Sequence, residues 1–185
     1  MVQVPVATSR PALFPDLDGA YPSYFIYGPM VFSTVTAQFS AELATISQNR
    51  THELFAALSV EGSPIAVRRG DHPAFPGETL VMISSPLFPG KFARGYGNPV
   101  GSVVKSVNGI AIKNLDQLVE VLRDATSDFI EIEFWAHFHE NLVFRRADVV
   151  AATDAILTDN GIRSQGSADT MAVWNAKPVA AAAHP

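Results

Sequence analysis

His137 and His139 stand two residues apart with Glu140 beside them. On a strand, residues two apart share a face, so the two imidazoles could hold a metal ion. Two ligands do not make a site, and Ala136 to Asn141 is where a hairpin must turn, a place where solvated histidines are ordinary. No metal site is expected. Nucleophilic hydrolysis needs a serine, a histidine to take its proton and a carboxylate to orient that histidine. Gly166-Ser167 falls in a polar stretch after Ser164 that reads as a mobile tail, where an oriented base and an oxyanion hole are hard to build. Asp71 and His72 are neighbours in a proline-rich loop, and adjacency in sequence does not make two side chains face each other. The chain has no cysteine, which removes thiolate chemistry, disulfides and cysteine-based zinc sites together. Arg68-Arg69 and Arg145-Arg146 read as surface charge rather than anion sites. The expectation is a chain without catalytic residues and without a cofactor.

Bulk properties narrow the class further. A formal charge of −5 argues against a general nucleic-acid binder, which carries a basic footprint. Hydrophobic residues at 48% against 17% charged ones indicate a globular chain, and 185 residues are enough to bury a core as one domain. No apolar run reaches the roughly 18–20 residues a membrane helix needs. The first residues lack a secretory leader pattern, so any leader of a parent protein is expected upstream, and the compartment stays open.

The most informative elements lie between Val103 and Phe144. Val103, Val104 and Val107 form a β-branched run closed by Asn108-Gly109, a strong hairpin-turn signal. Ile110 and Ile112 alternate with small or polar neighbours as a half-buried strand does. Asn114 can cap a helix with Gln117 as its capping-box partner, and Leu115, Leu118, Val119 and Leu122 follow at helical spacing. Phe129, Ile130, Ile132 and Phe134 then predict a strand with Glu131 and Glu133 on its other face. Upstream, Val2, Val4 and Val6 suggest an edge strand, and Arg10 to Pro22 a linker. Tyr24 to Val35 predicts a buried strand broken at Gly28-Pro29. Two helices capped by Thr36 and Thr51, joined at Gln48-Asn49-Arg50, carry inward Phe39, Leu43 and Ile46, then Leu54, Phe55 and Leu58. Glu61 to Gly77 and Ser85 to Pro99 read as loops around a short strand at Thr79 to Ser84. A closing helix from Arg146 to Thr158 should turn Val149, Val150, Thr153, Ile156 and Leu157 inward. Trp135 is expected in the core, and Trp174 as an exposed aromatic in the tail.

The passage VVKSVNGIAIKNLDQLVEVLRDA resembles the second PDZ domain of the Deg/HtrA serine proteases. The likeness extends to Tyr21-Pro22-Ser23-Tyr24-Phe25-Ile26, to Met30-Val31-Phe32 and to Gly95-Tyr96. It continues through Ala151 to Leu157 and Gly161-Ile162-Arg163-Ser164, so it covers roughly residues 20 to 170. It implies an α+β fold, a PDZ-like partly open β-barrel or sandwich with a helical insert and an extra C-terminal helix. It divides the chain into an arm at 1–20 left from a preceding PDZ domain, a PDZ-like domain at 21–165 and a flexible tail at 166–185. The family carries its nucleophile in a Gly-Asn-Ser-Gly-Gly context that this chain lacks, so the protease domain is expected elsewhere in the parent. The implied partners are proteins or peptides, with homo-oligomers formed through the parent.

A PDZ domain binds a peptide carboxylate with successive N–H groups before its second strand, then pairs the peptide with that strand's edge. By resemblance, Met30, Val31 and Phe32 take the donor positions, and Phe32, Leu118 and Leu122 the pocket wall. The chain departs from the family at Pro29, where the family has glycine; proline lacks an N–H and fixes φ near −65°. Two functions follow from it. One is assembly or regulation of proteolysis with the groove closed, which is the expected state; the alternative is a module that captures substrate C-termini.

Overall fold

The computed structural model describes residues 11–45, 51–91, 93–137 and 140–176. The expected strand at Val2, Val4 and Val6, the joint at Gln48-Asn49-Arg50, and Ile46 and His139 lie outside them, as do the side chains of Leu54 and Phe55. Among the described residues two antiparallel sheets carry the architecture, and they do not close into a barrel. The first has the order β1 (Tyr24–Tyr27), β2 (Met30–Thr34), β3 (Val81–Ile83). The second has the order β5 (Ile110–Ala111), β4 (Val104–Val107), β6 (Phe129–Phe134), β7 (Leu142–Arg145). An antiparallel bridge, Met82 to Val103, joins them. The described helices are α1 (Ala37–Thr45), α2 (Thr51–Val60), α3 (Pro64–Val67), α4 (Leu115–Asp124), α5 (Arg146–Asp159) and α6 (Ala168–Asn175). The α+β, PDZ-like architecture implied by the resemblance is the one observed.

Local chemistry explains the central elements. Asn108 and Gly109 both adopt positive φ, 49° and 76°, which is the two-residue turn whose twist matches flanking strands. Asn114 Oδ1 accepts from Gln117 N–H at 2.9 Å, and Gln117 Oε1 accepts in return from Lys113 N–H at 2.8 Å, starting α4 from both sides. Leu115, Leu118, Val119 and Leu122 face a core shared with Phe25, Phe32, Val107, Ile130, Ile132 and Phe144. A second cluster gathers Leu13, Phe14, Val35, Ile65, Leu80, Met82 and Val103, with Phe39 and Leu43 of α1 against it. Leu13 and Phe14 therefore anchor a stretch expected as free linker.

Other departures have equally physical causes. Trp135 is 47% exposed, because Ile130, Ile132 and Phe134 take the inward parity of β6 and the next residue must point out. Ile110 is 49% exposed, since β5 is a two-residue edge strand with little to cover it. Val150 of α5 also faces solvent, while Val149 and Thr153 turn in. The loop at 61–77 contains α3, whose Pro64 and Ile65 are buried. The largest difference lies at the C-terminal end. Residues 168–175, expected as mobile tail, form α6, and Trp174 packs its ring 5.1 Å from Phe25 and 6.3 Å from Tyr27.

Candidate functional site

The hairpin of β1 and β2 holds the residues expected to bind a carboxylate. Its register pairs Tyr24 with Ser33, Phe25 with Phe32, Ile26 with Val31 and Tyr27 with Met30. Only Gly28 and Pro29 lie between the strands. Gly28 has φ 55° and proline fixes a negative φ after it, the signs of a type II′ hairpin turn. Proline at this position thus suits a tight hairpin.

Both edges of β2 are consequently in use. On the far side Phe32, Ser33 and Thr34 pair with Ile83, Met82 and Val81, and the Val31 carbonyl accepts from Ser84 N–H at 2.9 Å. On the near side, Ile26 turns its N–H and carbonyl away from β2, to the Gln165 carbonyl at 2.7 Å and the Gln165 side-chain amide at 2.9 Å. Alternation in an antiparallel pair then directs Met30 and Phe32 towards Tyr27 and Phe25. The N–H groups of Met30, Val31 and Phe32 do not converge on one point. The Gly28 N–H, nearest to the turn, donates to Thr153 Oγ1 at 3.0 Å, and that hydroxyl donates to the Val149 carbonyl at 2.9 Å. α5 therefore sits on the turn.

The structure brings the expected wall residues together and covers them. Met30, Phe32 and Leu118 are fully buried, Leu122 nearly so, Gly28 and Pro29 are buried, and Val31 is half-buried. β1 lies along β2, and α6 lies against both β1 and α4, with Arg123 Nη1 donating to the Val173 carbonyl at 2.6 Å. Sequence reasoning missed Thr153 as a turn partner, Gln165 to Ser167 as a pairing segment and Trp174 as a partly buried ring packed against the core. Only the inward placement of Thr153 on its helix hinted at the first.

The residues considered for hydrolysis are engaged separately. Asp71 faces Arg68 at 3.3 Å, and His72 Nδ1 lies 2.9 Å from the Pro11 carbonyl. Ser167 Oγ accepts from Tyr24 N–H at 3.1 Å. Among the described residues, no three His, Asp or Glu side chains are placed to hold a metal ion, and no helix is long and apolar enough to cross a membrane.

A separate cleft of about 560 Å³ lies between α3 and the β4–β5 hairpin, with Val67, Phe75, Ile112 and Trp135 among its walls. Glu78 lies at its edge, bound to the Arg68 guanidinium and to the Ala74 N–H. The hydrogen bonds from Arg68 hold the Glu78 carboxyl below its ordinary value near 4.5; burial pushes the other way, and Ala74 adds to the lowering. A depressed folded-state value means that the pair's contribution is complete above the ordinary value and is lost as pH falls through the folded one. Melting temperatures measured from about pH 6 to about pH 3 should therefore fall more steeply for the native chain than for Glu78→Gln. Equal slopes would show that the pair contributes nothing.

A profile of the PDZ domain family matches residues 15–169. No curated protein matches the chain. PDZ domains are non-catalytic modules that bind proteins or peptides. The strand order, the helix α4 beside the hairpin and the extent of the profile match lead to one conclusion: this chain belongs to the PDZ domain family.

Proposed function

We propose that this domain is the non-catalytic PDZ region of a Deg/HtrA-type serine protease, and that it serves oligomer assembly or regulation of proteolysis through protein–protein contacts. The observation that carries the reading is the position of β1. It lies antiparallel along β2, in the place a peptide ligand would take, and continues covalently into the turn where a carboxylate would sit. Pro29, Met30, Val31, Phe32, Leu118 and Leu122 are then the closed counterpart of a peptide groove, filled from within. The motifs from 20 to 170 support the protease parent, with the catalytic centre elsewhere in it. Residues 1–20 belong in this reading to an arm from a preceding PDZ domain; of them, Leu13 and Phe14 are buried in the second cluster.

Contact surface remains for such a role. Phe129, Trp135 and Val143 lie on the outer face of the second sheet, each close to half exposed. Contiguous exposed apolar groups mark protein interfaces, and Phe129 and Val143 are diagonal neighbours on this face. The test is a titration of labelled C-terminal peptides and their amidated forms, with light scattering to follow mass. The native chain should show little carboxylate-dependent binding, and Pro29→Gly should recover some at most. Tight, amidation-sensitive binding by the native chain would replace this reading with the peptide-capturing one.

A further inference from the structure

The outer edge of β1 is the edge that a PDZ-type ligand would find free once β1 has filled β2, and it too is occupied. Phe25 and Gly166 form an antiparallel bridge. Ser167 N–H donates to the Tyr24 carbonyl at 3.0 Å, completing with the Gln165–Ile26 bonds a short ladder along β1. Thr170 Oγ1 donates to the same Tyr24 carbonyl at 2.8 Å. A Cβ at Gly166 would overlap Thr170 Oγ1 and lie 3.1 Å from both Phe25 Cδ2 and the Tyr24 carbonyl, so only glycine lets the backbone approach this closely. Beyond the ladder, α6 places Trp174 on Phe25 and Tyr27, and Met171 and Val173 against the main core.

A strand added to a sheet edge, followed by an aromatic anchor set between that edge and a helix, is how a peptide-recognition module holds its ligand. Resting on the reading that β2 is filled from within, we propose that the cleft between β1 and α4 is a peptide-binding site and that the segment from Gln165 to Asn175 is its ligand, held in cis. Its recognition pattern is a Gln-Gly-Ser strand whose glycine meets β1, then a short helix carrying tryptophan. The ligand is internal, so its recognition is independent of a free carboxylate. Asn160 to Ser164 alone connect it to α5, so the segment is tethered by a short loop at high effective concentration. A segment of the same pattern on a second chain competes only when the cis contacts are weakened.

A fluorescent peptide spanning residues 163–176 tests this against the full chain and its Trp174→Ala variant. The variant loosens the cis ligand and should bind the peptide at least about tenfold more tightly than the native chain does, given the tethered segment's advantage. Binding should be lost when the peptide's own tryptophan is alanine, and should be unchanged by amidation. A folded variant that binds no peptide overturns the proposal. Amidation-sensitive binding instead points to the β2 edge and overturns the closed-groove reading. If Trp174→Ala does not melt cooperatively, the full chain with a protease site inserted at Gly161–Arg163 replaces it. After cleavage the C-terminal fragment should stay bound and be displaced by excess peptide. A fragment that leaves on cleavage and does not rebind overturns the proposal as well.

Discussion

Leu118→Ala should cost about 2–5 kcal/mol and Phe32→Ala about 3–5 kcal/mol, measured as shifts in urea denaturation midpoints at constant slope. Both side chains are fully buried, and both belong to the cluster that joins α4 to the two sheets. Removing them deletes buried methylene or ring groups and leaves a cavity that close-packed neighbours fill only in part. The size of the loss also bears on function. In an open groove these residues would be pocket wall, partly wet, and truncation would lose little burial. In the closed arrangement they are interior. A loss below about 0.5 kcal/mol, the range of ordinary surface changes, would mean that the groove stands open in solution.

The legible parts of this fold are those whose signals are local. Asn114 announced α4 because a cap and its partner are three residues apart and need no tertiary help. Asn108-Gly109 announced the β4–β5 turn because both residues tolerate the positive φ it requires. The alternation of Ile130, Ile132 and Phe134 set the inward face of β6, and the same parity rule, carried one residue further, puts Trp135 outside. Gly28-Pro29 was visible as a break in an apolar run. Its role as a hairpin turn was not, because a strand break and a ligand loop have the same composition. Least visible were the contacts on the outer side of the β1–β2 hairpin. Their partners lie more than a hundred residues apart in the chain, Tyr24 with Ser167 and Gly28 with Thr153. Nothing in the spacing of QGSADTMAVWN marks a docking strand and an anchor; α6 is short, and its burial is conferred by β1 and α4. In this register the expected carboxylate donors face alternate edges of β2, for a related reason. Which way an N–H points depends on the strand beside it, and resemblance to a loop motif does not include that neighbour.

Gly28→Ala should destabilise the domain by about 2–6 kcal/mol, the sum of positive-φ backbone strain and overpacking. The backbone term arises because Gly28 holds φ at 55°, where a side chain is strained whatever the space around it. The packing term arises because a Cβ there would overlap Val149 Cγ1 of α5. The two can be separated. Val149→Ala removes the methyl that the new Cβ would strike and leaves φ untouched. In that background Gly28→Ala should cost less than in the native chain, with a coupling energy of about 0.5–3 kcal/mol in a double-mutant cycle. The same contact keeps Val149 and Thr153 over the turn, where the Gly28 N–H is already bonded to the Thr153 hydroxyl. Strict additivity of the two substitutions would mean that α5 does not sit on the turn. The Gly28 N–H would then be free to meet a carboxylate, and the closed-groove reading would lose its second support.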